Sequence, residues 1–225
     1  MNTAIIVAAG ASQRFNSATP KQFIEVCGKQ VVIYSLERFA ACSSVDEIVV
    51  VVPEDMVEGF GEREDVASIY KLKGVVAGGR TRAESVHRGV RVVDARTEIV
   101  AIHDGARPLV TVDEIDLVIQ KAVETGAACL TAPVVDTIKQ VEDGWITGTI
   151  DRRTLRRAMT PQAFKLELLR NAFKGRKLTD DITDECSLIE ELGHHIASVP
   201  GGTRNIKITH PEDLRIAEEF LREGY

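Results

Sequence analysis

Two basic side chains, Arg14 and Lys21, follow a turn of small residues, "AAG" (8–10), at the end of the first apolar run of the chain. Such a turn lets backbone N–H groups approach an anion closely. Fixed cations beside it can stabilise the negative charge that gathers when an anion attacks a phosphate. The stretch "AAGASQRFNSATPKQF" (8–23) therefore predicts transfer at a phosphate of a nucleoside triphosphate.

Two familiar phosphate-binding loops do not fit the chain. The dinucleotide fingerprint G-x-G-x-x-G needs glycines where Ser12 and Phe15 stand. The run "GVVAGGRT" (74–81) has the spacing of a P-loop, but Arg80 replaces its lysine and "VVA" is typical of a strand. The phosphate site is therefore expected to be of another kind.

Composition limits the class of protein. A chain of 225 residues suits one domain with a sizeable core. Its net charge of −6 argues against broad binding of nucleic acid or of an anionic membrane. We expect a cytoplasmic protein, because the first apolar run is too short to span a bilayer and no charged leader precedes it. The cysteines contain no CxxC pair and are typical of reduced thiols: Cys27, Cys42, Cys129 and Cys186.

Strand patterns and helix patterns alternate along the chain. Unbroken apolar runs predict strands at 4–8, 47–52, 74–77, 98–103 and 127–134, and helical spacing predicts helices over 31–42 and 81–93. Three Thr…Glu pairs have the spacing of capping boxes: Thr81…Glu84, Thr111…Glu114 and Thr209…Glu212. The alternation predicts an α/β fold with a mostly parallel twisted sheet, whose ligands bind at the carboxyl ends of the strands.

Residues 135–150 interrupt the alternation with two short strand patterns around Asp143-Gly144, a strong hairpin signal. One interpretation is an extra antiparallel edge of the main sheet. The other is a projecting arm that embraces a second subunit, because the hairpin carries apolar side chains that need a cover. Those side chains are Val135, Ile138, Val141, Trp145 and Ile146.

The opening stretch and six later blocks resemble the cytidylyltransferases that activate a polyol phosphate with CTP. The blocks are "GGRTRAESV" (78–86), "HDGARP" (103–108), "PVVDTIK" (133–139), "DRRTLRRAMTPQAF" (151–164), "ITDE" (182–185) and "NIKITHPEDL" (205–214). They run in order over essentially the whole chain, which the resemblance identifies as one domain, 1–225. It implies a Rossmann-like nucleotidyltransferase fold with helices on both faces of the sheet and 135–150 as the dimerisation arm.

The resemblance also implies the roles of individual residues. Four cations would be catalytic: Arg14 and Lys21 would grip the triphosphate and stabilise the transition state, and Arg152 and Lys207 would hold the acceptor phosphate. Cytosine and ribose would be held by Ala8, Ala9, Gly10, Gly79 and Ser85. The sugar phosphate, the metal-bound nucleotide and the polyol would be contacted by Asp104, Gly105, Arg107, Thr137, Thr160 and Thr183. The family uses Mg²⁺, held mainly by the triphosphate, with Asp104 as a candidate protein ligand.

The implied reaction transfers the cytidylyl group of CTP to 2-C-methyl-D-erythritol 4-phosphate in non-mevalonate isoprenoid synthesis and releases pyrophosphate. Ribitol 5-phosphate is the alternative acceptor, and a non-catalytic nucleotide-binding regulator is the alternative of another class. The partners implied are CTP, a polyol phosphate and a second copy of the chain. No general base is required, because a phosphate monoester with a second pKa of about 6 is largely a dianion at neutral pH.

Overall fold

The computed structural model describes residues 1–10, 15 and 19–224. Within them, seven strands form one sheet whose spatial order is β11-β7-β10-β6-β1-β4-β5. Their bounds are β1 Asn2–Val7, β4 Glu47–Val52, β5 Leu72–Ala77, β6 Ile99–Asp104, β7 Ala127–Pro133, β10 Arg156–Lys165 and β11 Ala197–Pro200. Every neighbouring pair is parallel except those of β10, which runs antiparallel to both β6 and β7. The predicted mostly parallel α/β sheet is confirmed.

Helices cover both faces of this sheet. On one face, α1 (Val31–Ala41) and α5 (Val112–Thr125) pack against side chains such as Ala4 and Ile6 of β1. On the other face, α4 (Arg82–Val92) packs against β1, and α6 (Leu166–Phe173) and α7 (Glu185–Glu191) belong to the same apolar cluster as Ile5 of that strand. Successive side chains of a strand point to opposite faces, so a strand covered on both sides must be apolar throughout. This explains the unbroken apolar runs of β1 and β4.

The remaining elements lie around the sheet. Strands β2 (Glu25–Val26) and β3 (Lys29–Gln30) form a small antiparallel pair, and α2 (Val57–Phe60) and α3 (Glu64–Ala67) are single turns. The last helix, α8 (Pro211–Arg222), contributes Ala217 to a third apolar cluster with Phe15, Val31 and Ile208. Short 3-10 segments occur at Lys21–Phe23, Glu54–Met56 and Arg152–Thr154. None of the described helices is both long and apolar enough to cross a membrane.

The hairpin is an arm and not an edge of the main sheet. Strands β8 (Ile138–Glu142) and β9 (Trp145–Ile150) pair only with each other. Asp143 and Gly144 both have positive φ, at 49° and 82°, as a two-residue type I′ turn requires. Trp145 is 78% exposed, and Val135, Val141 and Ile146 are exposed as well. The arm therefore presents an apolar surface that its own chain leaves uncovered.

Candidate active site

A cleft of about 620 Å³ opens at the carboxyl ends of β1, β5 and β6. This is where ligands bind in open parallel sheets, and the volume is in the usual range of small-molecule sites. Its lining includes eight of the residues that the sequence singled out: Ala8, Ala9, Gly10, Lys21, Gly79, Ser85, Asp104 and Lys207.

The small-residue turn after β1 is held from below by Gln22, which is 3% exposed. The amide Nε2 of Gln22 donates to the backbone oxygen of Ala8 at 2.5 Å and to that of Gly10 at 2.9 Å. The backbone N–H of Ala8 donates to the oxygen of Val51 in β4 at 2.7 Å. The turn is therefore fixed at both ends before any ligand arrives.

The loop between β5 and α4 approaches this turn very closely. A Cβ at Gly78 would lie 2.1 Å from that of Ala9, so only glycine permits the approach. The N–H of Gly79 donates to Oγ of Ser85 at 3.0 Å, and Ser85 donates to the oxygen of Thr81 at 2.9 Å. Ser85 therefore shapes the loop from the first turn of α4, whose N-cap is Thr81.

A buried network of charges surrounds Asp104 at the end of β6. Oδ1 of Asp104 accepts from Nε of Arg82 at 2.9 Å, and Oδ2 lies 2.8 Å from Nζ of Lys207. Nε of Arg107 lies 3.7 Å from Oδ2. Arg82 also donates through Nη1 to both carboxylate oxygens of Glu185, at 2.7 and 2.9 Å. Two acids and three cations thus form one cluster beneath the cleft.

The cluster sets the ionisation of its acids. Burial alone would raise the pKa of Asp104, but the charges of Arg82, Lys207 and Arg107 outweigh burial and hold the pKa well below its ordinary value. Burial raises the pKa of Glu185, and the charge of Arg82 opposes part of that rise. Asp104 is therefore a permanent anion that holds Lys207 at the cleft.

His103 lies behind Asp104 and is fully buried. Its Nε2 lies 3.1 Å from the backbone oxygen of Arg107, and its Nδ1 lies 3.0 Å from Oγ1 of Thr160. A carbonyl can only accept, so Nε2 carries the proton and Nδ1 accepts from Thr160. The hydroxyl of Thr160 also accepts from the backbone N–H of Asp104 at 3.1 Å. His103 and Thr160 thus support the Asp104 backbone.

The family model for IspD, 2-C-methyl-D-erythritol 4-phosphate cytidylyltransferase, matches residues 2–223. A protein of that name from Syntrophus aciditrophicus is 42% identical over 224 residues, covering 98% of this chain and 95% of its own. The chain belongs to this family. It is a cytidylyltransferase, hence a nucleotidyltransferase of isoprenoid synthesis, and the ribitol alternative is not favoured.

Solved structures of the family share the fold. The 2-C-methyl-D-erythritol 4-phosphate cytidylyltransferase of Thermus thermophilus superposes with a TM-score of 0.78 at 29% identity, covering 99% of this chain and all of its own. The 4-diphosphocytidyl-2C-methyl-D-erythritol synthase of Anaerococcus prevotii superposes with a TM-score of 0.83 at 27% identity, covering 99% and 98%. The likeness therefore extends over whole chains.

Other residues that the resemblance implies lie away from the cleft lining. Thr160 is buried, and Arg107 donates through Nη1 to the backbone oxygen of Asn205 at 2.9 Å. Gly105 follows β6 and donates its N–H to Val7 at 2.8 Å. Thr137, Arg152 and Thr183 are exposed, and Arg152 donates to the backbone oxygen of Val135 at the base of the arm. Arg14, with Ser12, lies outside the described residues.

Sequence reasoning missed Arg82 and Glu185, although both stand in blocks that carry the family resemblance. They are 103 positions apart, so only the fold could pair them. It also missed Gln22, the neighbour of Lys21 in "PKQF", and Asp180, which lines the cleft. The amide of Gln22, which follows the small-residue turn by twelve positions, was an available signal, since such side chains satisfy turn carbonyls.

The cleft fits a magnesium ion held mainly by phosphates. Among the residues that the structure describes, no group of three or more His, Cys, Asp or Glu side chains could cage a metal. The carboxylates that line the cleft are those of Asp104 and Asp180. Mg²⁺ is commonly bound by one or two carboxylates together with substrate phosphates, so this donor set is sufficient.

Proposed function

We propose that the cleft binds CTP and the 4-phosphate of 2-C-methyl-D-erythritol side by side and joins them. The observation that carries this proposal is the convergence of Lys21, Lys207 and two small-residue loops on one cleft at the ends of three strands. Cations and close backbone approach are what a triphosphate and a second phosphate require. The family name gives the acceptor, 2-C-methyl-D-erythritol 4-phosphate, and the cytidylyl group that is transferred to it.

The nucleotide occupies the side formed by the two loops. Cytosine and ribose lie against the backbone of 8–10 and of Gly79, with Ser85 fixing the Gly79 loop through the hydrogen bond described above. Lys21, at the 3-10 turn after the first loop, contacts the triphosphate, and the resemblance gives Arg14 the same role. Cations placed there stabilise the transition state more than the ground state, because negative charge concentrates at the α-phosphorus.

The acceptor occupies the side formed by the charge cluster. Lys207 binds its phosphate, and Asp104, held in place by Arg82 and Arg107, orients the polyol hydroxyls. Thr160 contributes through the backbone of Asp104, which it supports. Thr183, Thr137 and Arg152 complete the acceptor site, the last two from the arm of a second subunit.

The chemistry needs no protein nucleophile. The acceptor phosphate, with a second pKa of about 6, is mostly a dianion at neutral pH. One of its oxygens forms a bond to the α-phosphorus of CTP as the bond to the bridging oxygen breaks, and the electron pair leaves with pyrophosphate. Mg²⁺, when bound, neutralises oxygens of the triphosphate and of the leaving pyrophosphate. Asp104 is its proposed protein ligand.

The arm makes the protein a homodimer in this proposal. Trp145, Val141 and Ile146 are too exposed to be left in water at the tip of a hairpin without a cover. A twofold pair would bury both arms against the facing chains in the same way. The cytoplasm is the proposed location, because the four cysteines are free thiols, as in a reducing compartment.

Pyrophosphate release tests the function directly. The purified protein with CTP and Mg²⁺ is given 2-C-methyl-D-erythritol 4-phosphate, ribitol 5-phosphate or no acceptor. We expect release with the first acceptor at a kcat/KM about 100-fold or more above the second, since a misfitting polyol leaves buried polar groups unpaired. Equal release with both acceptors, or none with the first, contradicts the proposed function.

The role of Lys21 is tested in the same assay. Lys21→Ala is expected to lower single-turnover rates by about 100-fold or more while calorimetry still detects CTP binding, because the ammonium acts mainly in the transition state. Near-native turnover by this variant would mean that the role assigned to Lys21 is wrong.

A further inference from the structure

Four side chains of alternating charge run from the interior to the cleft. Glu185, the first residue of α7, is 0% exposed and binds Nη1 of Arg82 with both carboxylate oxygens. Nε of Arg82 donates to Oδ1 of Asp104, and Oδ2 of Asp104 holds Nζ of Lys207. Glu185 at one end of the series is fully buried, whereas the side chain of Lys207 at the other end is 35% exposed.

We propose that Glu185 is a positioning residue for the transfer reaction, which acts through Arg82 and Asp104 to hold the Lys207 ammonium at the acceptor phosphate. The inference rests on the proposed role of Lys207. It assigns a role in the reaction to Glu185, a residue that lies outside the cleft lining and does not contact a substrate directly.

The geometry of Arg82 explains how Glu185 can act at a distance. Arginine presents its donors in a rigid planar fork, so the direction taken by Nη1 decides the direction of Nε. With Glu185 in place, Nη1 is committed to it, and Arg82 offers Asp104 the Nε donor alone. Oδ2 of Asp104 is then left for Lys207.

Removal of the Glu185 charge changes how Arg82 and Lys207 share the two carboxylate oxygens of Asp104. The guanidinium of Arg82 is largely buried, and a buried charged donor without an acceptor is costly. The other acid paired with Arg82 in the described part of the chain is Asp104, and a carboxylate accepts two parallel bonds from arginine readily. Arg82 would then take both oxygens of Asp104, and Lys207 would lose the anion that places it.

Glu185 could instead serve only the stability of α7, and a double-mutant cycle separates the two roles. The variants are Glu185→Gln, Lys207→Met and the double variant, with Glu190→Gln as a matched control on the exposed face of the same helix. The measurements are kcat, the KM of the acceptor and the KM of CTP by pyrophosphate release, with the thermal midpoint of each protein.

If Glu185 positions Lys207, Glu185→Gln lowers kcat/KM for the acceptor by about 10- to 100-fold, as expected for a misplacement near 1 Å. The KM of CTP stays within about threefold, because the two nucleotide loops are untouched. In the Lys207→Met background the same change costs less than about threefold, since coupled residues are not additive. Glu190→Gln is expected to match the wild type throughout.

Two results would overturn the inference. One is additivity, in which Glu185→Gln costs as much without Lys207 as with it. The other is a lowered thermal midpoint with unchanged acceptor kinetics. If Glu185→Gln does not fold, Arg82→Lys enters the same cycle, because a single ammonium keeps the charge but cannot bridge both acids. A wild-type protein that releases no pyrophosphate would instead refute the proposed function. The coupling between Glu185 and Lys207 would then be measured from the thermal midpoints of the wild type and the three variants of the cycle. Additive changes in those midpoints would overturn the inference.

Discussion

The Nζ atom of Lys207 lies 2.8 Å from Oδ2 of Asp104, and this contact ties the segment before α8 to the end of β6. The backbone reinforces it, because the N–H of Ile208 donates to the oxygen of Ala106 at 2.9 Å. A distant segment thereby delivers a cation to the strand ends, where the other cleft residues lie. The proposed acceptor site thus depends on contacts between the C-terminal region and the central sheet.

Lys207→Met should reduce transfer strongly without unfolding the protein. Asp104 keeps Arg82 and Arg107 as partners, so the buried carboxylate stays compensated, while the acceptor phosphate loses its ammonium. We expect kcat/KM for the acceptor to fall about 100-fold, the usual order for one electrostatic contact to a transition state. The control is Lys73→Met on the exposed side of β5. Equal steady-state kinetics for the two variants would contradict the assignment.

Gln22→Leu should weaken CTP binding by loosening the first loop. The change removes the donor that the oxygens of Ala8 and Gly10 share and leaves those acceptors without it. An acceptor that is left unsatisfied costs about 1–3 kcal/mol. The thermal midpoint and the calorimetric affinity for CTP should both fall. Gln120→Leu, an identical change at an exposed position of α5, is the control, and an unaltered CTP affinity in Gln22→Leu would count against the anchoring role.

The sequence predicted those parts of the fold and the site that depend on short stretches of neighbouring residues. The apolar runs gave β1, β4, β5, β6 and β7 to within two residues at each end, and Asp143-Gly144 marked the hairpin turn. Strand β10 was not predicted. Its Pro161 argues against a central strand, and the structure accommodates the segment with a register shift between Ala158 and Gln162. Tertiary pairing on both sides decided that element.

The helix starts also show that local sequence patterns predict some details of the structure and miss others. The capping box at Thr111 and Glu114 is confirmed. At α4, Thr81 caps as predicted, but the carboxylate of Glu84 accepts from the N–H of Arg80 at 2.8 Å. The pair Thr209 and Glu212 was wrong by one residue, because Pro211 occupies the first helical position and makes His210 the cap. Of the site, the loops were readable from sequence, whereas the Glu185–Arg82–Asp104 cluster depends on contacts across the fold.

Acid should destabilise the protein through His103. Burial lowers the pKa of His103 from 6.5 to about 4 in the folded state. Above pH 6.5 neither state is protonated, but as the pH falls from 6.5 towards 4 the unfolded chain gains a proton that the folded chain does not. Stability is therefore complete above pH 6.5 and is lost below it, by about 2 kcal/mol at pH 5.

Urea unfolding at pH 7 and pH 5 measures this loss. His103→Asn should show a smaller loss between the two pH values than the wild type, whatever its stability at pH 7. His194→Gln, at an exposed histidine, should keep the wild-type difference. If His103→Asn loses as much stability as the wild type, the buried imidazole is not the group responsible.

The nucleotide side of the cleft should discriminate bases by two mechanisms. Gly78 packs closely on Ala9 where the two loops proposed to hold the base meet, and purines should be excluded by size. UTP should be rejected because its position 4 accepts a hydrogen bond where cytosine donates one, which leaves buried groups unpaired. Pyrophosphate release with each nucleotide at fixed acceptor measures the ranking. Comparable rates with ATP and CTP would show that the base lies elsewhere.

Thr137 and Arg152, the two residues at the base of the arm that are proposed for the acceptor site, lie outside the cleft lining of their own chain. If the arm reaches the neighbouring subunit, each site combines Lys21 of one chain with Arg152 of the other. Lys21→Ala and Arg152→Met proteins should then each be nearly inactive alone. Co-refolding an equal mixture makes about half of the dimers mixed, by random pairing in a twofold dimer.

In each mixed dimer, one site carries both substitutions and the other carries neither. Activity should therefore return to about a quarter of the wild-type value, from the same random-pairing count. If each site lay within one chain, every site would keep one substitution and no activity would return. Native mass spectrometry establishes that mixed dimers have formed, and subunits unfolded and refolded separately provide the baseline. A refolded mixture that contains mixed dimers yet stays at this baseline would exclude a shared site, because a shared site would leave one unsubstituted and therefore active site in each mixed dimer.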